Sequence, residues 1–125
     1  METSNSRGWF WIQNNDSKQN RNKIKGKYLF FADDKEQLIM LAKTILKKYE
    51  LLIAKTPSSN TPNNSTGFGF VLCVYDTANR YCNELKDLKT NSVSFRYWKS
   101  DNATRAGKYS KQFMAIRQLR ITVRR

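Results

Sequence analysis

The chain contains no histidine among its 125 residues. This removes the commonest general acid–base group and the commonest metal ligand. It also excludes Ser-His-Asp and Cys-His nucleophilic arrangements. Cysteine is scarce, with only Cys73 and Cys82 present. A zinc site needs more thiolates and clustered carboxylates than this, so no metal is expected. Two reduced thiols are expected rather than a disulfide framework. No apolar run approaches the roughly 20 residues that span a bilayer, and the polar start from Met1 to Gly8 lacks the apolar centre of a signal peptide. A cytoplasmic protein is the default expectation, although secretion without a cleaved signal leaves no mark on a sequence. Both prolines, Pro57 and Pro62, fall within residues 56–66, which are otherwise mostly Ser, Thr and Asn and read as one exposed loop. Gly67 and Gly69 precede an apolar strand instead of following one, so they make no dinucleotide fingerprint, and no cofactor is expected.

Acidic residues are also few: ten Asp and Glu stand against 23 Lys and Arg, a net charge of +13. The excess is uneven. Residues 7–27 hold six basic groups and one acidic group, and residues 94–125 hold nine and one, while residues 28–93 are nearly neutral. Two basic segments around a neutral middle imply a polarised surface that attracts phosphates, nucleic acid, anionic lipid or an acidic protein. The plainer reading is a solvated surface that keeps the protein soluble.

With 39% hydrophobic and 13% aromatic residues, the chain has enough apolar surface for one packed core. Trp9 to Ile12 reads as a strand with Trp9 and Trp11 on one face. Residues 13–22 read as a mobile polar loop, and Lys27 to Ala32 as a buried strand entered through Gly26. Asp33, with Glu36 three residues on, resembles a capping box. The stripe of Leu38, Ile39, Leu41, Ala42, Ile45, Leu46 and Tyr49 then predicts an amphipathic helix. Leu51 to Lys55 and Gly67 to Tyr75 read as strands, the second one central. Asp76 is expected to cap a second helix from Thr77 to about Leu88. Ser92 to Trp98 and Leu119 to Arg124 read as further strands, the last at an edge. Residues 1–8 are expected to be disordered and 9–125 to form a single α+β domain. Its predicted architecture is a curved, mostly antiparallel sheet of about six strands with two helices packed on one face.

The segment from Phe95 to Tyr109 concentrates the polar chemistry. As a strand, it puts Phe95 and Tyr97 on a core face and Arg96 and Trp98 on the other. A turn follows with Lys99, Arg105 and Lys108 among Ser100, Asp101, Asn102 and Thr104, residue types that bend chains and cap helices. Lys55, Arg96, Trp98, Lys99, Arg105, Lys108 and Tyr109 are therefore the candidate ligand-binding residues. The cations would hold phosphate. Trp98 and Trp11 would stack on a flat ligand, with core packing as the plainer role. Arg117, Arg120, Arg124 and Arg125 fit either phosphate contacts or a charged edge strand.

Four segments also resemble a known family: Gly26-Lys27-Tyr28, Ala54-Lys55, Val71-Leu72-Cys73-Val74-Tyr75, and the run from Tyr97 through Trp98-Lys99-Ser100-Asp101 to Gly107-Lys108-Tyr109. The family includes the basophilic-leukaemia-expressed protein and short bacterial relatives, and the resemblance spans roughly residues 9–113. It implies the fold of the cap-binding translation initiation factor, a curved antiparallel sheet backed by helices. Some bacterial members carry a phosphothreonine-lyase name. Two departures stand out. Cap-binding proteins sandwich a methylated guanine between two tryptophans beside an acid, and no carboxylate adjoins Trp9, Trp11 or Trp98 in sequence. Phosphothreonine lyases pair a lysine base with a histidine acid, a role left here to Tyr109 or a lysine.

Three functions are compatible with these residues. The first is a module that binds a phosphorylated or otherwise anionic ligand: a nucleotide, RNA or a phosphopeptide. The second is a lyase-like enzyme acting on a phosphate ester, with Lys55 or Lys99 as base. The third is a bacterial effector or inhibitor that docks on an acidic protein partner.

Overall fold

The computed structural model describes residues 1–61, 69–88 and 93–101. Among these described residues, six strands form one open sheet: β1 (Glu2–Ser6), β2 (Trp9–Gln13), β3 (Gly26–Ala32), β4 (Ile53–Pro57), β5 (Phe70–Asp76) and β6 (Val93–Ser100). Their spatial order is β1-β2-β4-β5-β3-β6, and every pairing is antiparallel. The same residues hold two α-helices, α1 (Lys35–Lys48) and α2 (Cys82–Lys86). The predicted α+β class is the observed one. The predicted strand at Leu119 to Arg124 and the arginine series around it lie outside the described residues.

Alternation along each strand divides the sheet into two faces. Ile12, Tyr28, Phe30, Ala32, Ala54, Phe70, Leu72 and Val74 line one face and are buried. Against them α1 lays Leu38, Leu41, Ala42, Ile45 and Leu46, the stripe its spacing predicts, and α2 adds Leu85. Removing one such buried leucine side chain costs about 2–5 kcal/mol. The helix starts one residue later than the sequence implies: Asp34 is its N-cap, with Oδ1 accepting from the Glu36 amide at 2.9 Å. At its other end Lys47 and Lys48 complement the carbonyl end of the helix dipole.

Three expectations need correction. The first residues are not disordered, because Glu2–Ser6 pairs along the outer edge of β2. Arg7 and Gly8 join the two strands at φ 53° and 84°, and positive φ at both loop residues is the hairpin geometry that matches strand twist. The strand was illegible because all five residues are polar and exposed, so its backbone pairing carries no hydrophobic alternation. Asp76 does not cap α2, which is short and begins after Tyr81. Its carboxylate is completely buried and takes Tyr28 Oη at 2.7 Å, Gln19 Nε2 at 2.9 Å and Arg80 Nη2 at 2.8 Å. Segment 13–22 is pinned, not loose: Gln19 also accepts from the Leu52 amide at 2.8 Å, Ser17 Oγ donates to the Glu50 carbonyl, and Asn14 Nδ2 donates to the Leu46 carbonyl.

Candidate functional site

The register carries a second set of side chains to the face opposite the helices. Trp11 of β2 pairs with Lys55 of β4, Lys55 with Cys73 of β5, Cys73 with Leu29 of β3, and Leu29 with Tyr97 of β6. In the neighbouring row Tyr75 pairs with Lys27 and Lys27 with Lys99. Trp9 and Phe31 lie on the same face by alternation. Both described helices pack on the other side. The open face is therefore a sheet of aromatic rings with lysines set among them.

Its geometry is specific. The Lys55 Nζ lies 3.9 Å from the ring centre of Trp9, 5.2 Å from that of Trp11 and 5.9 Å from that of Tyr75. The Lys27 Nζ lies 5.5 Å from the Tyr75 ring centre. Trp11 and Tyr75 stand nearly parallel, 20° apart in plane with centroids 6.4 Å apart. They line a cleft of about 260 Å³ with Ile53, Arg21, Ile24 and Asp101. Asp101 is held at the end of β6, where its amide donates to the Lys25 carbonyl at 2.6 Å.

The charges interact. Burial, the dominant cause, lowers the Lys55 ammonium below its ordinary value; Cys73 opposes the shift and Lys27 adds to it. Burial pushes the Cys73 thiol up, against the pull of Lys27, Lys55 and Lys99. The Tyr75 phenol is raised, first by burial and then by Cys73 and Asp101. Three lysines thus share one field over the centre of the sheet. Lys27 and Lys99 sit directly opposite each other, a like-charge pairing that costs stability in a sheet.

Of the residues singled out from sequence, Lys55, Lys99 and Arg96 belong to this face. Arg96 reaches it through a bulge. Leu29 pairs with Tyr97 but Phe30 pairs with Phe95, so Arg96 is the extra residue on β6. Its guanidinium carbon lies 5.9 Å from the Phe31 ring centre. The bulge inverts the phase beyond it and overturns the expected role of Trp98. Trp98 turns to the helix side, with its ring 4.9 Å from that of Tyr28, while Tyr97 takes the open face. Glycine at position 26 makes room, since a Cβ there would lie 2.6 Å from Trp98 Cζ2. Arg105, Lys108 and Tyr109 lie outside the described residues. Sequence reasoning missed Lys27, Tyr75 and Asp101. Lys27 and Tyr75 stand near the ends of apolar strands, where alternation assigns each a face but not its neighbours across the sheet. Asp101 joins Trp11 through tertiary structure alone.

The site thus belongs to a small α+β domain with an open antiparallel sheet, helices on one face and a basic aromatic surface on the other. No protein-family model, curated protein or solved structure matches this chain. No helix among the described residues is long and apolar enough to cross a membrane.

Proposed function

We propose that the open face binds single-stranded nucleic acid. The observation that carries the reading is the near-parallel Trp11–Tyr75 pair beside the lysine cluster. Its 6.4 Å separation is just short of the about 7 Å that one inserted base needs at ~3.4 Å per stacking layer. A small outward shift of either ring admits the base, and Ile53 lies in the same cleft. Asp101 offers acceptors to base N–H groups and Arg21 offers donors. Lys27, Lys55 and Lys99 neutralise backbone phosphates. A sheet face of rings and cations suits unpaired bases, whose π-faces a duplex hides.

Quenching of tryptophan fluorescence by short RNA and DNA oligomers tests this, since Trp9 and Trp11 lie on the open face. Saturable quenching is expected at low salt. The binding constant should fall with salt at a log–log slope of about −2, from three phosphate contacts at roughly −0.7 each. Absence of quenching by every oligomer at low salt overturns the reading.

One observation favours a second reading, elimination of phosphate from a phosphate ester: the half-buried Lys55 with its lowered proton affinity is suited to act as a base. Mass spectrometry of a phosphothreonine peptide after incubation tests it. Loss of phosphoric acid supports elimination, and an unchanged mass rejects it.

A further inference from the structure

A second cleft, of about 430 Å³, opens where α1 ends. Tyr49 and Tyr81 line it with ring centroids 4.3 Å apart. Each ring carries a cation: Lys48 Nζ lies 5.4 Å from the Tyr49 centre, and the Arg80 guanidinium carbon 4.8 Å from the Tyr81 centre. Lys18 lines the cleft as well, and Glu50 is the one carboxylate lining it among the described residues. Arg80 is anchored by its ion pair with buried Asp76, yet its side chain remains 44% exposed. The anchor fixes the guanidinium in place without removing it from solvent.

One segment of the chain borders both this cleft and the Trp11–Tyr75 cleft. Lys18 and Gln19 line the first, while Arg21 and Ile24, two to six residues on, line the second. Gln19 ties the shared segment to Asp76 and to the Leu52 amide. The segment is therefore set in place before any ligand arrives, with one of its cations lining each cleft. Rings paired with cations recur on both sides of it, the combination that tracks a single strand by stacking and by phosphate contact.

We infer that the Tyr49–Tyr81 cleft is a second subsite for the same strand. A nucleic acid seated by one base between Trp11 and Tyr75 crosses segment 18–21 and places a further nucleotide among Lys18, Lys48 and Arg80. This rests on the reading of the open face given above, and it adds a length requirement: short oligomers fill one cleft, and longer ones fill both.

The test compares oligothymidylates of about 4 and about 16 nucleotides, the range of site sizes for single-strand-binding folds. They are titrated against the unaltered protein, the double variant Lys18→Glu/Lys48→Glu and the double variant Lys43→Glu/Lys86→Glu. All four lysines are exposed, and Lys43 and Lys86 line neither cleft. The longer oligomer should bind the unaltered protein more tightly. The cleft variant should lose on the order of tenfold for the long oligomer and much less for the short one, while the control variant keeps the length preference. Equal affinity for both lengths, or equal losses in the two variants, overturns the second subsite and leaves the first standing. Binding of neither oligomer overturns the open-face reading, and the subsite with it.

Discussion

Two charged side chains enter the sheet from opposite faces, and the protein holds them in opposite ways. Asp76, on the helix side, is completely buried and surrounded by donors: the Tyr28 hydroxyl, the Gln19 amide, the Thr77 amide and the Arg80 guanidinium. Lys55, on the open side, is half-buried against the faces of Trp9, Trp11 and Tyr75 and next to other cations. A buried charge with its full set of hydrogen bonds fastens elements together. Here it joins β3, β5, the start of α2 and segment 14–25. Lys55 is held instead by ring faces and by burial that lowers its proton affinity. The same contrast separates the tryptophans: Trp98 packs on Tyr28, whereas Trp9 and Trp11 stand over the open face.

The largest expected effect breaks the comparison on the buried side. Asp76→Ala removes the buried partner of an ion pair whose Arg80 side chain is 44% exposed, and it strands the Tyr28 hydroxyl and the Gln19 and Thr77 amides, at roughly 1–3 kcal/mol for each buried donor left without a partner. Chemical denaturation measures it, and a loss below about 1 kcal/mol would show that the knot is dispensable. Lys55→Ala, by contrast, should leave the unfolding midpoint nearly unchanged and abolish most oligonucleotide binding.

The tryptophans separate next. Trp98→Ala is expected to destabilise by about 3 kcal/mol, as for other packed aromatic truncations, with binding intact under folding conditions. Trp11→Ala should do the reverse, with little change in stability and a loss of about 1–3 kcal/mol of binding, roughly 5- to 150-fold. Denaturation curves and fluorescence titrations on both variants decide the matter.

A subtler effect follows from the depressed proton affinity of Lys55. Phosphate binding needs the ammonium form, so affinity should weaken as pH rises through the lowered folded-state value, before ordinary lysines titrate. Between that value and the unfolded one, the unfolded chain binds more protons, so stability should rise with pH. Lys55→Arg keeps its charge throughout and should flatten both profiles; a profile unchanged by that substitution would assign the titration to another group.

The smallest effect concerns the thiols. Cys73 is buried at the centre of the open face, with its thiol pushed up by burial, while Cys82 is partly exposed. A thiol reagent should label Cys82 in the native protein and reach Cys73 only on unfolding. Rapid labelling of both would mean that the sheet centre opens readily.

Much of this architecture can be read from local pattern. The 3.6-residue stripe from Leu38 to Leu46 specifies α1 and its inner face. The apolar runs specify β2, β3 and β5, and the alternation of Trp9 with Trp11 puts both on one side. These features follow from the periods of helix and strand, which neighbouring residues express directly. The clustering of Lys and Arg likewise sets the attraction to anions whatever the fold. Tertiary pairing decided the rest. β1 exists because β2 offers an edge, although its own five polar residues carry no period. The bulge at Arg96 arises where β6 is registered against β3, and one extra residue sends Trp98 to the core and Tyr97 to the open face. Asp76 looks like a helix cap until Tyr28, Gln19 and Arg80 converge on it from distant positions. Lys27, Lys55 and Lys99 meet for the same reason: backbone hydrogen bonds between strands, and no local signal, bring them onto one face.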